Sequence, residues 1–173
     1  MAEKVCILWS DITCLTVDAV VNAANCHLSG GEGVDGAIHW AAGSGLDEEC
    51  AALGWCETGD AVITGGYNLP ARYIIHTVGP VWRGGDQGEP EQLAGCYRRC
   101  FELAHQHGIR TIAFPAIASG IYGFPLDRGS DIAMVEARIA LEKNPELEQV
   151  YFVVYSAGAR KIYLQALDRI FGA

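Results

Sequence analysis

Short apolar runs alternate with amphipathic segments along this chain, and the alternation restricts the folds that it can adopt. Six runs are rich in apolar and β-branched side chains and are too short for buried helices, so we predict strands. They cover residues 5–9, 19–22, 61–64, 73–78, 111–114 and 150–155. Residues 67–70, with the sequence Tyr-Asn-Leu-Pro, indicate a turn between the third and fourth strands.

Between the strands, three segments space their apolar residues as an amphipathic helix does: residues 91–107, 127–143 and 159–171. A fourth helix is predicted over residues 33–42, after a glycine-rich loop. Strand and helix alternate in the later part of the chain, which favours a largely parallel sheet covered on both faces. Ligands of such sheets bind at the carboxyl ends of the strands, so the loops that follow strands are the places to look for chemistry.

The bulk properties are those of an ordinary globular protein. Of the 173 residues, 50% are hydrophobic and 19% are charged. No apolar run approaches the roughly 18 residues of a membrane span, and the amino terminus lacks the apolar core of a signal peptide. The seven cysteines are odd in number and form no Cys-x-x-Cys pair, so we interpret them as reduced thiols. We expect one domain over residues 1–173, a cytoplasmic location and a monomer.

The charge balance narrows the class of partner. The net charge is -9, which argues against nonspecific binding to nucleic acid, because that binding needs a basic surface. An anionic small molecule is not excluded, since backbone N–H groups and helix amino termini hold phosphate without lysine or arginine.

Three loops after predicted strands have an unusual composition. Residues 22–39 contain a glycine cluster followed by a predicted helix, which suits a diphosphate or equally a tight turn. Residues 115–125 again combine glycines with a hydroxyl, or form a surface turn with Tyr122 packed on the core. Asp11 follows the first strand, where it could accept a hydrogen bond from an exocyclic amine or cap a turn.

Taken in order, these segments resemble the macrodomain family, and the resemblance covers nearly the whole chain. The matching motifs are Asp11-Ile12-Thr13, Asn22-Ala23-Ala24-Asn25, Gly33-Val34-Asp35-Gly36-Ala37-Ile38-His39, His76-Thr77-Val78-Gly79-Pro80, Pro115-Ala116-Ile117 and Gly120-Ile121-Tyr122-Gly123. Asn25, Asp35 and His39 together resemble the hydrolytic MacroD-type branch. The resemblance implies a three-layer α/β/α sandwich with a mixed, largely parallel sheet and an ADP-ribose cleft across the strand ends.

The resemblance also implies roles for individual residues. Asn25, Asp35 and His39 are the implied catalytic residues, with Asp35 and Asn25 positioning the attacking water. The implied ADP-ribose ligands, from the adenine end to the distal ribose, are Asp11, Ile12, Tyr155, Ser119, Gly120, Ile121, Tyr122, Gly31, Gly33, Val34, Asp35 and Asn25. The implied activity is removal of mono-ADP-ribose from acidic protein side chains and deacetylation of O-acetyl-ADP-ribose.

Several alternatives stay open at this stage. The substrate's own phosphate could activate the water instead of Asp35, and Tyr155 could pack in the core rather than stack on adenine. Glu32 stands where the family usually has glycine, which restricts φ and adds negative charge. A module that binds ADP-ribose without hydrolysing it is therefore the alternative function. No cofactor is expected, and no metal, because Cys26 and His27 lack a third ligand at suitable spacing.

Overall fold

A computed structural model describes residues 1–172 and places six strands in one mixed sheet. They are β1 (Val5–Trp9), β2 (Ala19–Ala23), β3 (Ala61–Gly65), β4 (Tyr73–Thr77), β5 (Thr111–Phe114) and β6 (Gln149–Val154). Their order is β1-β6-β5-β2-β4-β3. Five strands run parallel, and only β3 pairs antiparallel to its neighbour β4. The predicted mixed, largely parallel sheet is confirmed.

Within residues 1–172, five α-helices cover the two faces of the sheet and complete the three-layer sandwich. They are α1 (Gly33–Ala42), α2 (Ser44–Leu53), α3 (Glu89–Gln106), α4 (Leu126–Lys143) and α5 (Ala157–Phe171). Ile38 of α1 and Leu46 of α2 pack with Val20 and Ile74 on one face. The longer helices α3, α4 and α5 bury their apolar stripes on the other face.

The two cores arise because the side chains of each strand alternate in direction. Successive side chains of a strand point to opposite faces, so Val20 and Val21 of β2 belong to different cores, as do Phe152 and Val153 of β6. Parallel strands covered on both faces are therefore continuously apolar. The polar residues that occur inside such strands stand out, and one of them, Asn22, is completely buried.

The predicted elements and the observed ones differ mainly at their ends. The turn over residues 67–70 and the helix over residues 33–42 are confirmed. The helix predicted from residue 91 begins at Glu89, and the one predicted from residue 159 begins at Ala157 after Ser156, whose hydroxyl accepts the Ala159 N–H. Helix α2 was not predicted. Within residues 1–172, no helix is both long and apolar enough to cross a membrane.

Candidate active site

Four loops that carry predicted site residues meet at one edge of the sheet. Strands β1, β6, β5 and β2 are neighbours in that order and run parallel, so their carboxyl ends share the edge. Asp11 follows β1, Tyr155 follows β6, Ser119 lies in the loop after β5, and Asn25 follows β2. The residues assigned to adenine, diphosphate and distal ribose thus lie along the edge in that order.

Asp11 is both a cap and an available acceptor. Its Oδ1 accepts hydrogen bonds from the backbone N–H of Thr13 at 2.9 Å and from the Thr13 hydroxyl at 2.7 Å. These bonds hold the pKa of the Asp11 carboxyl below its usual range, so the group is ionised at neutral pH. The only contact of Oδ2 among residues 1–172 is the Cys14 thiol at 3.6 Å, which leaves this oxygen able to accept from a ligand.

The two other residues assigned to the adenine end differ in exposure. Ile12 is 1% exposed and packs in the core beneath α1, so only its backbone can reach a ligand. Tyr155 lies just beyond β6 and is 52% exposed. That exposure rules out plain core packing for Tyr155 and leaves one part of its ring open to solvent.

The loop after β5 is a tight turn under backbone strain. The Ser119 hydroxyl donates to the carbonyl of Ala116 at 2.8 Å, and the N–H of Phe124 donates back to the carbonyl of Ala118 at 2.9 Å. Ala118 has a φ of 65°, in the left-handed region that residues other than glycine rarely occupy. Such conformations cost on the order of 1–3 kcal/mol and persist where the surroundings enforce them.

The same loop presents backbone donors. The loop contains three consecutive N–H groups that have no hydrogen-bond partner within residues 1–172. They belong to Gly120, Ile121 and Tyr122. Ile121 is 82% exposed at the tip. Successive N–H groups of this kind form an anion-binding concavity, so the loop can hold phosphate oxygens without a cationic side chain.

Asn25 organises the loop after β2 as well as facing the site. Its Oδ1 accepts the Ser29 N–H, and its Nδ2 donates to the carbonyl of Gly30, both at 3.2 Å. The amide thereby closes a turn of six residues that leads into the glycine run. Asn25 is partly buried, and its Nδ2 also donates to the hydroxyl of the exposed Ser29 at 3.2 Å, so a ligand that accepts from Nδ2 would replace that bond.

The glycine run packs tightly against α1. A Cβ at Gly36 would lie 2.3 Å from the carbonyl oxygen of Gly31, so only glycine permits this approach. Glu32 has a φ of -95° and an exposed side chain, and it is the N-cap of α1. The restriction on φ that a non-glycine residue imposes at position 32 is therefore satisfied without strain.

Asp35, in the first turn of α1, is a buried carboxyl held by one hydrogen bond. It is 6% exposed, and its Oδ1 accepts the Nδ2–H of Asn22 at 2.8 Å. Burial raises the pKa of the Asp35 carboxyl, although the bond from Asn22 and the nearby His39 act in the opposite direction. A carboxyl with a raised pKa is a better general base near neutral pH than an exposed one.

His39 lies one helical turn after Asp35 and faces two carboxyl groups. Its Nε2 is 3.4 Å from Asp35 Oδ1, and its Nδ1 is 2.7 Å from Asp47 Oδ1 on α2. The short contact assigns a proton to Nδ1, because a deprotonated carboxylate only accepts hydrogen bonds. The ring is therefore oriented by Asp47 towards Asp35, as the four-residue spacing predicts.

Three residues of this site received no role from the sequence: Asn22 and His76, which were named only as members of motifs, and Asp47. Asn22 and His76 are both fully buried and are register partners on β2 and β4. Their polar side chains within apolar strands are a signal that could have found them, since buried polar groups require partners. Asp47 carried no such signal, because it belongs to the helix that was not predicted.

One cluster has the spacing of a metal site. His39, Cys50 and His76 each offer a ligand atom, and these atoms lie within 4.8 Å of one another. However, the Nε2 of His76 is hydrogen-bonded to the hydroxyl of Thr64 at 3.0 Å. Burial also raises the pKa of the Cys50 thiol to about 11, whereas a metal needs the thiolate. These donors fit a hydrogen-bonded cluster better than a metal centre.

Charge is distributed unevenly around the site. Residues 5–71 contain nine aspartates and glutamates but neither lysine nor arginine, and they account for the whole net charge of -9. The glycine run, α1 and α2 all belong to this segment. An anionic ligand at the distal end of the site would therefore depend on backbone N–H groups and the amino terminus of α1.

The chain is similar in sequence to several known proteins over nearly its whole length. The chain is 54% identical over 97% of its length to a macro domain-containing protein of Methanosarcina mazei, covering 90% of that protein. It is 45% identical over 96% of its length to an O-acetyl-ADP-ribose deacetylase 1 of Pantoea vagans, covering 99% of it. The ADP-ribose glycohydrolase MACROD2 of Xenopus laevis is 48% identical over 99% of the chain, which spans 41% of that longer protein.

Solved structures agree with the sequence relatives. The Oceanobacillus iheyensis macrodomain with ADP superposes with a TM-score of 0.91 at 39% identity, covering 95% of this chain and 90% of that one. The Trypanosoma brucei macrodomain in complex with ADP-ribose superposes at 0.89 with 41% identity, covering 95% and 69%. The family model named Macro domain matches residues 21–133. The chain belongs to the macrodomain family.

Proposed function

We propose that this chain binds ADP-ribose along the strand ends and hydrolyses ADP-ribosyl esters. The observation that carries the proposal is that polar atoms of Asn25 and Asp35 both lie close to the position that a Cβ on Gly31 would occupy. A Cβ at Gly31 would lie 3.2 Å from Asp35 Oδ2 and 3.9 Å from Asn25 Nδ2. A carboxylate and an amide donor thus converge on one point beside the helix terminus, which is the arrangement that water attack on an ester requires.

The binding roles follow the order of the strands. Asp11 accepts a hydrogen bond from the adenine amine, Tyr155 stacks on the ring, and the backbone of Ile12 lines that pocket. The diphosphate lies between two loops and is held by the N–H groups of Gly120, Ile121 and Tyr122, with Ser119 beside them, on one side and by those of Gly31, Gly33 and Val34 on the other. The distal ribose reaches Asn25 and Asp35. Two relatives support this assignment, since their structures contain ADP and ADP-ribose.

In the proposed reaction, Asp35 orients a water molecule and accepts its proton as the water attacks the ester. For O-acetyl-ADP-ribose, the oxygen of the water adds to the acetyl carbonyl and the bond to the ribose oxygen breaks. The products are acetate and ADP-ribose, and the ribose oxygen takes up a proton. Asn25 donates to the developing negative charge, and His39 orients Asp35. An alternative base is the phosphate of the substrate, and the variant Asp35→Asn separates the two.

The proposed substrates are proteins modified with mono-ADP-ribose on aspartate or glutamate, together with O-acetyl-ADP-ribose. Both are esters of the same distal ribose, so one site can accept either. The Xenopus relative is named an ADP-ribose glycohydrolase and the Pantoea relative an O-acetyl-ADP-ribose deacetylase, and both names support hydrolysis of an ADP-ribose derivative. We place the activity in the cytoplasm, where the cysteines, all of them free thiols, would stay reduced.

A binding module without turnover is the second candidate, and Glu32 favours it. This exposed carboxylate lies in the glycine run beside the place proposed for the diphosphate. It adds negative charge where an anionic ligand would sit. Tight binding of ADP-ribose in calorimetry without release of ADP-ribose or acetate would support this second candidate.

The decisive experiment measures hydrolysis and binding on the same variants. We expect the wild type to release ADP-ribose from an acidic protein modified by a mono-ADP-ribosyltransferase, and acetate from O-acetyl-ADP-ribose. Asp35→Asn should lose at least about 100-fold in kcat, the lower range for general-base catalysis, while calorimetry still detects ADP-ribose binding. Asp168→Asn, an exposed aspartate on α5, is the matched control. Unchanged turnover in Asp35→Asn would eliminate Asp35 as the base.

A further inference from the structure

Behind Asp35 lies a chain of buried polar side chains that crosses three strands. Asn22 on β2, His76 on β4 and Thr64 on β3 are 0%, 0% and 3% exposed. Buried polar groups in a parallel sheet are costly unless each has a partner. Their arrangement therefore needs a reason beyond packing, and the contacts of each member supply one.

The hydrogen bonds run in one direction. Thr64 donates its hydroxyl proton to the carbonyl of Gly65 at 3.1 Å, so its Oγ1 is left to accept from the Nε2 of His76 at 3.0 Å. Burial lowers the pKa of His76 to about 3, which makes the ring neutral with a single N–H. That proton is on Nε2, and Nδ1 is consequently an acceptor.

The acceptor on His76 determines how the amide of Asn22 is turned. Asn22 Nδ2 lies 3.1 Å from His76 Nδ1 and 2.8 Å from Asp35 Oδ1. An NH₂ group has two protons and satisfies both acceptors at once. The opposite amide orientation would place Oδ1 against the Asp35 carboxylate and the His76 lone pair, which is repulsive on both sides.

We infer that His76 is a positioning residue for Asp35, acting through the amide of Asn22. Thr64 fixes the tautomer of His76, His76 fixes the orientation of Asn22, and Asn22 holds the carboxylate that faces the ligand. The backbone register supports this chain, because Asn22 and His76 are direct partners across β2 and β4. The inference rests on the proposed function in one respect only: it assigns Asp35 to the reaction.

A matched pair of substitutions separates positioning from packing. His76→Leu replaces the imidazole with an apolar side chain of similar size and removes the acceptor, whereas His76→Asn places an amide oxygen close to the position of Nδ1. For His76→Leu we expect kcat to fall roughly 10- to 100-fold, since small misplacement of a catalytic group has effects of this size. ADP-ribose affinity should stay near that of the wild type. His76→Asn should recover most of the lost kcat.

The control is Ile74→Ala, a core substitution two residues earlier on the same strand and the same face. It lowers thermal stability without removing an acceptor from Asn22, so kcat and its pH profile should be unchanged. The acid limb of the kcat profile should move to higher pH in His76→Leu alone, because Asp35 loses an oriented donor. Equal losses of kcat in all three variants, or a wild-type pH profile in His76→Leu, would overturn the inference.

A readout without turnover keeps this inference distinct from the proposed function. Long-range ¹H–¹⁵N spectra of the wild type should show His76 with its proton on Nε2 at neutral pH. A ¹³C titration should show the carboxyl of Asp35 titrating at higher pH in His76→Leu. If the wild type hydrolyses neither substrate while both spectra behave as expected, the proposed function fails and the positioning of Asp35 stands. A proton on Nδ1 of His76 would refute the positioning chain, whatever the enzyme does.

Discussion

The Nδ1 atom of His39 lies 2.7 Å from the carboxylate of Asp47, which belongs to a different helix. Asp47 thereby orients the imidazole whose other nitrogen faces Asp35. Its side chain is 60% exposed, so the charge itself is partly screened by solvent. The contact matters mainly for the tautomer of His39. An amide at position 47 can present either its oxygen or its NH₂ group to Nδ1, so it would no longer fix that tautomer.

We therefore expect Asp47→Asn to lower kcat about 10-fold, as the loss of an orienting partner does in other sites. ADP-ribose affinity should change little, because Asp47 lies behind His39. The neighbouring Glu48→Gln removes one negative charge from the same helix without touching His39 and is the matched control. A similar loss in both variants would show that charge on α2, and not the contact, is responsible.

The raised pKa of Asp35 leads to a prediction about pH and stability. Between the usual value of 3.8 and the raised value, the folded chain holds a proton that the unfolded chain has released. Stability contributed by this carboxyl is thus lost as pH rises through that window, and the ionised form is destabilising at neutral pH. Asp35→Asn should raise the free energy of unfolding at pH 7 by about 0.5–2 kcal/mol, although the same substitution should lower kcat at least about 100-fold.

Activity should show the opposite dependence on pH. Asp35 must be ionised to accept a proton, so kcat/KM should fall below the raised pKa and form an acid limb above that of an exposed aspartate. Rates of O-acetyl-ADP-ribose hydrolysis between pH 4 and 8 provide the measurement. An acid limb near 3.8, or none, would mean that another group activates the water.

The close approach of Gly36 and Gly31 predicts that a single methyl group disturbs the diphosphate loop. Alanine is normally preferred over glycine inside a helix by about 1 kcal/mol. In Gly36→Ala, however, the new Cβ meets the Gly31 carbonyl and the glycine run must move. We expect ADP-ribose affinity in calorimetry to fall at least about 10-fold, which corresponds to roughly 1.4 kcal/mol.

The control for this variant is Gly158→Ala, in the first turn of α5, where an added Cβ meets no atom within 4 Å. It should bind ADP-ribose as the wild type does and should be at least as stable. Full binding by Gly36→Ala would show that the glycine run is more adaptable than its packing against α1 implies.

Much of this architecture could be predicted from the sequence, because strong periodicity and glycine clusters are local properties. Helix α2 could not. Its buried residues are only Leu46 and Cys50, four apart, and a single glycine separates it from α1. Two buried residues are too few to give a helical repeat of apolar positions, so the segment cannot be distinguished from a loop by its sequence pattern. The antiparallel pairing of β3 could not be predicted either, because a run of apolar residues indicates a strand but not its direction relative to its neighbour.

The residues of the candidate site likewise fall into two groups, those that could be assigned from the sequence and those that could not. Residues of the glycine loops belong to contiguous motifs and could be assigned by resemblance. Asn22, His76 and Asp47 act through partners distant in sequence, as in the pairing of β2 with β4. A polar residue inside an apolar strand marks Asn22 and His76 as residues that need partners, but which partners they contact depends on strand register and helix packing, which no local pattern encodes.

The negative charge of Glu32 leads to a prediction about how salt affects the affinity for ADP-ribose. The segment around the glycine run has no cationic side chain, so the anionic ligand meets net repulsion that salt screens. Affinity for ADP-ribose should therefore hold or rise with ionic strength, unlike that of a lysine- or arginine-based phosphate site. Glu32→Gln should bind about two- to fivefold more tightly at low salt, a typical effect for an exposed charge.

The difference between Glu32→Gln and the wild type should vanish in calorimetry at high salt. Glu48→Gln, farther along the acidic segment, should change affinity less. If affinity in the wild type declines steeply with salt, cationic side chains must participate and the backbone assignment is wrong.

The Glu89 carboxylate leads to a prediction about how acid affects stability in a region outside the site. Its carboxylate accepts the N–H groups of Arg83, Gly85 and Gln87 at 2.6–2.9 Å and thereby folds the loop before α3. Burial opposes ionisation, but these backbone bonds outweigh it and lower the pKa of Glu89 from 4.5 to about 2. The stability that it contributes is present above pH 4.5 and is lost as pH falls towards 2.

Glu89→Gln should therefore speed hydrogen exchange in residues 83–88 at neutral pH and flatten the stability profile in that acid range. Glu91→Gln, two residues later and largely exposed, is the matched control and should leave both unchanged. Equal exchange rates in the two variants would contradict the role given to Glu89.

The position of β1 has a consequence for synthesis on the ribosome. Within residues 1–172 its one neighbour in the sheet is β6, so the strand that precedes Asp11 is made before the other five strands and docks only after β6. A nascent chain that ends before Val154 would carry Asn25 and Asp35 but could not assemble the adenine end. Nucleotide binding would then require synthesis through β6, and chains truncated in α4 would be left with an unpaired, apolar edge for chaperones to recognise.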